Sequence, residues 1–124
     1  MQQASKFIDL DTMPHNQTLA DRIREAFAHL PDVEEKKMFG SIAFMVNSKM
    51  CIAAGKNRIM CRISPDIYED AITRNGVHPV VMKGKELKGY VHVDEDVLQS
   101  KKELDYWIEH ALEFNKVAKS SKKK

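Results

Sequence analysis

The sequence predicts a two-layer α+β domain, with an antiparallel sheet of about five strands and helices packed on one sheet face. Three observations carry this. Residues 18–30 and 103–112 place apolar side chains at helical spacing, whereas 42–63 alternates with the period of a strand. The strands within 42–63 are joined by short turns, and parallel neighbours would need long crossovers, so they must run antiparallel. Helices interspersed with such a sheet bury their apolar stripes against it.

Each element has a local reason. Thr18 with Asp21 three residues later resembles a helix start, and Leu19, Ile23, Ala26, Phe27 and Leu30 form one stripe that Pro31 ends. Ile42, Phe44 and Val46 alternate with Ala43 and Met45, and Asn47-Ser48 supplies a turn. Met50 to Ala54 and Arg58 to Ile63 follow as strands around Gly55-Lys56-Asn57. Pairing Ala54 with Ile59 puts Met50, Ile52, Ala54, Ile59, Cys61 and Ile63 on one face and Cys51, Ala53, Met60 and Arg62 on the other. A one-residue slip would mix the two sets. The same register sets the two cysteines on opposite faces, against a disulfide between them.

Ser64-Pro65-Asp66 begins a second helix: a capping serine, a proline in the first turn and an acid at the positive end of the dipole. Ile67, Tyr68, Ala71 and Ile72 form its buried side, and Asn75-Gly76 ends it. Val80 to Met82 and Tyr90 to Val93 read as two short strands around the polar KGKELKG. Ser100 and Glu103 then form a capping box ahead of Leu104, Trp107, Ile108, Ala111 and Leu112. The predicted order is helix, three strands, helix, two strands, helix. Residues 1–17 form a lead-in, 18–115 one domain and 116–124 a lysine-rich tail.

At 124 residues, with 43% hydrophobic and 31% charged residues, the composition is that of one globular domain. No apolar run approaches the ~20 residues of a membrane helix, and the N-terminus lacks the apolar stretch of a signal peptide. A cytoplasmic protein with reduced thiols is expected. The net charge of +2 belongs to the tail: residues 116–124 carry five lysines and no acid, leaving 15 basic against 18 acidic residues in 1–115. A domain of formal charge −3 gives little support to nucleic-acid binding through overall charge.

The chemistry-bearing residues are sparse. Five histidines are scattered, and Glu25 with His29, like Glu109, His110 and Glu113, reads as helix-surface charge rather than a metal site. Gly84 and Gly89 have phosphate-loop spacing, but Tyr90 and Val91 stand where that loop needs Lys and then Ser or Thr. Cys51 beside Arg62 is the one candidate nucleophile; strand cysteines are more often packing. No catalytic, metal or cofactor-binding residue is assigned, and the expectation is a protein that is not an enzyme.

Two surfaces remain. Met45, Ala53, Met60 and Arg62 would form an open sheet face suited to a protein partner, since methionine adapts to varied contacts. Lys83, Lys85 and Lys88, with Lys56, Arg58 and Arg62 nearby and Tyr90 for stacking, are the alternative, a nucleic-acid contact to which the lysine tail would add.

Four segments, KKMFGSIAFMVNSKMCIAA (Lys36 to Ala54), RIMCRISP (Arg58 to Pro65), MKGKELKGYVHVD (Met82 to Asp94) and ELDYWIEHALEF (Glu103 to Phe114), resemble the N-terminal domain of the TfoX/Sxy family of bacterial competence regulators. The resemblance covers about 20–115, and Met38-Phe39-Gly40 with Lys88-Gly89-Tyr90-Val91 is its most specific part. It implies an α+β fold related to secretion-chaperone-like domains. It also implies a regulatory role: such proteins switch on DNA-uptake genes as transcriptional coactivators, working with a cyclic-AMP receptor protein. The family supplies no catalytic residues. Ser41 replaces the family's common second glycine, and the helical C-terminal domain of full regulators has no counterpart before the lysine tail. The expectation is a regulatory or adaptor domain whose partner is a protein of the transcription machinery, with DNA touched directly or through that partner, no membrane and no cofactor.

Overall fold

The helical and alternating patterns resolve into a defined order in the computed structural model, which describes residues 17–38 and 40–118. Helix α1 (Gln17–Ala26) precedes strands β1 (Val33–Met38), β2 (Ser41–Val46), β3 (Lys49–Ala54) and β4 (Arg58–Arg62). Helix α2 (Pro65–Ala71), strands β5 (Val77–Met82) and β6 (Lys85–Asp94), a 3-10 turn (Glu95–Leu98) and helix α3 (Lys101–Asn115) follow. The six strands form one antiparallel sheet in the order β1-β2-β3-β4-β6-β5.

Register explains the two layers. Ile42, Ala54, Ile59, Val93 and Val77 are successive partners across five strands, and Phe44, Ile52, Cys61 and Val91 form the next parallel row. Both rows belong to one buried cluster with Leu19, Ile23 and Phe27 of the first helical segment, Tyr68 and Ala71 of α2, and Leu104, Trp107 and Ala111 of α3. The three helices of the described residues therefore cover the same face. The α+β class, the one-sided packing and the Ala54–Ile59 register agree with the sequence.

The sheet has six strands rather than five. The additional one, β1, reads Val-Glu-Glu-Lys-Lys-Met and is exposed along almost all of its length, so it carries no alternation to detect. Backbone pairing with β2 holds it, together with a fork in which Arg24 Nε and Nη2 donate to Glu35 at 2.6 and 2.7 Å. That guanidinium holds the Glu35 carboxyl below its usual range, and Arg24 also pairs with Asp21. Strands β5 and β6 are longer than expected because Lys83-Gly84, both at positive φ, make a two-residue hairpin turn within KGKELKG.

Cys51 departs from the expected pattern. The β2–β3 register shifts between Phe44 and Met45: Phe44 pairs with Ile52, but Met45 pairs with Met50. Cys51 is the extra residue of this bulge. The added residue turns Met50 to the Met45 side and Cys51 into the core cluster, reversing the faces expected for both. The cysteines are free because both are buried thiols in the core cluster, not because they face opposite sides of the sheet.

Helix ends follow their caps. Ser64 Oγ accepts from Asp66 N at 3.1 Å with Pro65 in the first turn, as expected. Ser100 Oγ accepts from Glu103 N at 3.1 Å, but the return half of the expected capping box is not made: Glu103 Oε2 accepts from Trp107 Nε1 at 3.2 Å. Helix α1 includes Gln17, so Thr18 is not its cap. It tightens into turns after Ala26, short of the expected Leu30. Gly76, at φ +78°, closes the α2 segment, and a Cβ there would lie 2.7 Å from Val97 Cγ1.

A polar clasp joins the layers where the β2–β3 hairpin meets the end of α3. Lys49 Nζ donates to the carbonyls of Asn115 and Ala118 at 2.7 and 3.1 Å, placing an ammonium at the negative end of the helix. Asn115, 3% exposed, donates from Nδ2 to Val46 O at 3.1 Å. Ala118, expected as part of the tail, is buried here, while Val117 is 73% exposed. The rest of that tail and residues 1–16 of the expected lead-in lie outside the described residues. Asn115→Ala removes the buried amide that donates to the Val46 carbonyl and should lower unfolding stability by about 1 kcal/mol. Chemical denaturation checks this, and an unchanged midpoint contradicts the clasp.

Candidate functional site

The face opposite the helices is built by the residues that alternate with the core rows. Lys36, Ala43, Ala53, Met60, His92 and His78 are successive partners across all six strands. Ala43 and Ala53 form a closely packed floor. Met45, its partner Met50, and Met60 stand around it half-buried, with Arg58 and its cross-strand neighbour Asp94 beside Met60. Ser41, Ala53, Gly55, Arg58, Met60 and His92 line a shallow depression of about 120 Å³ on this face.

Met45, Ala53 and Met60, expected to share a surface, do so. Arg62 lies at its margin: its guanidinium sits 5.7 Å from the ring centroids of both Tyr90 and Phe114, spanning from the sheet to α3. It is thus held between aromatic rings rather than spread on the open face. Sequence reasoning did not include Met50, Ala43, His92 or His78. Met50 was hidden by the bulge; His92, inside an expected strand, is set beside Met60 by the β4–β6 pairing, and His78 emerges only once β5 extends back to Val77.

The thiols have no nucleophilic setting. Cys51 is 1% exposed, and burial pushes its pKa up to about 12 despite the opposing effect of Arg62. Burial and the neighbouring Cys51 raise Cys61 as well. The packing role favoured for Cys51 agrees with this burial, while its expected place on the outer face is corrected: the bulge turns Cys51 inward and removes the solvent a thiolate needs. Among the described residues no cluster of three or more His, Cys, Asp or Glu is arranged to hold a metal ion.

The three candidate lysines lie on the β5–β6 hairpin. Lys83 and Lys85 flank its tip, while Lys88 stands back along β6, with Nζ 3.5 Å from Glu69 Oε2. The acid within this arm, Glu86, accepts from Tyr68 Oη at 2.6 Å and so is turned toward α2. On the helix side, Leu30, Val46 and Leu112 floor a wider groove of about 440 Å³, edged by Glu109 and Glu113.

His92 is the titrating feature of the open face. Burial, followed by the charges of Arg58 and His78, lowers its pKa to about 4, while Asp94 acts in the opposite sense and His78 Nε2 lies 3.0 Å from Asp94 Oδ2. Its ring is neutral in the folded protein near pH 6, whereas in the unfolded chain it binds a proton below about 6.5. Stability should therefore fall as pH drops from 6.5 to 4 and level off below. For a half-exposed ring this contribution is about 1–2 kcal/mol after solvent screening. His92→Gln should flatten that part of the stability profile, measured by urea unfolding at several pH values; an unaltered slope would contradict the assignment.

Comparison with known proteins places this geometry. The chain matches the TfoX N-terminal domain over residues 25–115. No curated protein matches it. A Deinococcus radiodurans structure containing a DUF419 domain superposes with a TM-score of 0.62 at 18% identity, over 90% of this chain and 84% of that one. A Pseudomonas syringae structure from a structural genomics consortium gives 0.60 at 13% identity, over 81% of this chain and 98% of that one. At these identities the two structures show a common fold and no more. The family match spans most of the chain, from within α1 to the end of α3, and the chain belongs to the TfoX N-terminal domain family.

Proposed function

We propose that this chain is a non-enzymatic regulatory or adaptor domain, acting by protein–protein contact in transcription as competence coactivators of the TfoX/Sxy kind do. One observation carries the reading. Three half-buried methionines, Met45, Met50 and Met60, surround the Ala43–Ala53 floor on a sheet face that no helix among the described residues covers. Flat apolar surface with flexible thioether side chains suits a protein partner whose surface need not be matched rigidly. Arg58 and Lys36 at its border add charges that orient such a partner without dominating its affinity.

The nucleic-acid alternative rests on Lys83, Lys85 and the lysine tail, because Lys88 is opposed by Glu69. On a folded part of formal charge −3 in 1–115 the two hairpin lysines offer few phosphate contacts, so a protein is the favoured partner.

Met60→Glu places a charge at the centre of the face while leaving the buried rows intact. The full chain, used as bait in lysate of its own host, should capture a protein of the transcription machinery that the variant loses, with the circular-dichroism melt nearly unchanged. Capture surviving the substitution rejects the face. Capture of duplex DNA alone, declining steeply with salt, rejects the protein-contact reading.

A further inference from the structure

The two edges of the sheet are protected unequally. Strand β1 carries Glu34, Glu35, Lys36 and Lys37, charges of both signs that discourage pairing with a further strand. Strand β5, at the other edge, is guarded in its first half by Pro79, which has no N–H, and by the irregularity between Pro79 and Val81, but it ends in Val81 and Met82, which are 59% and 58% exposed. Among the described residues no strand lies on its outer side.

The hairpin also fixes which backbone groups face outward. Met82 and Lys85 flank the Lys83-Gly84 turn, whose two positive φ angles, 53° and 76°, are those of a tight two-residue hairpin. The pair beside such a turn is the hydrogen-bonded one, and bonded and non-bonded pairs alternate. Val81, paired with Glu86, therefore directs its N–H and C=O away from β6 and toward solvent. The cations beside this opening outnumber the acid: Lys83 and Lys85 lie at the tip, and the neighbouring carboxylate, Glu86, is drawn toward α2 by Tyr68 Oη, which donates to it at 2.6 Å.

We infer that the β5 edge accepts an extended acidic segment of a partner protein as a seventh strand, its apolar residues against Val81 and Met82 and its carboxylates beside Lys83 and Lys85. Main-chain hydrogen bonds supply the attachment, and the lysines select an acidic over a basic strand. This edge and the methionine face are separate surfaces, so either holds if the other fails.

The test is a titration of the isotope-labelled full chain with an acetylated decapeptide alternating glutamate and valine, followed by amide chemical shifts. Saturable shifts confined to Val80–Lys85 are expected, absent with a lysine–valine peptide and retained in Met60→Glu. Val81→Glu, which meets the peptide with like charge, should weaken binding severalfold. Val81→Pro, which removes the outward N–H, should do the same. Absence of β5 shifts, equal response to the lysine peptide, or shifts centred on Met60 would each overturn the inference. Duplex DNA displacing the peptide from the same amides would also overturn it, assigning the lysines to phosphates.

Discussion

Ile42, Ala54, Ile59, Val93 and Val77 lie in one row across five strands, and the helices bury that row together with its neighbour from Phe44 to Val91. Burial on one side alone makes register strict, because a slip by one residue would present the core to water. The clasp at Lys49 and Asn115 locks this arrangement where the β2–β3 hairpin meets the end of α3. The opposite face consequently receives every residue that alternates with the core, including Ala43, Ala53 and Met60. Its apolar, methionine-bearing character follows from the packing of the other side.

Most of this was legible in the sequence where burial is one-sided and periodic. Helices α2 and α3 announce themselves through Ser64-Pro65-Asp66 and Ser100, and the Ala54–Ile59 register follows from side-chain alternation alone. Strand β1 was not legible. Its pairing uses backbone groups, and its side chains are charged whether it is strand or loop. The Cys51 bulge was hidden for a different reason. A single inserted residue leaves composition untouched yet reverses the faces of Met50 and Cys51. That reversal both removed a candidate nucleophile and enlarged the methionine surface.

The site was legible in the same uneven way. Met45, Ala53 and Met60 follow from strand alternation, whereas Arg62 needed the aromatic rings of Tyr90 and Phe114 to be placed, contacts from a neighbouring strand and a distant helix. Likewise, the uneven charge of the hairpin arm appears only when Tyr68 is seen to engage Glu86. A domain of this kind offers two different surfaces from one sheet. Adaptable side chains cover its face, and backbone groups with exposed valine and methionine mark one edge.

Most rests on contact being made at the sheet face that no described helix covers. Methionine oxidation by hydroxyl radicals, read residue by residue by mass spectrometry on the full chain alone and in complex with the protein it captures, tests it most directly. The account predicts that Met45, Met50 and Met60 lose reactivity together in the complex while Met38, exposed on the far edge strand, keeps its own. Unchanged oxidation of those three methionines in a stable complex would contradict it.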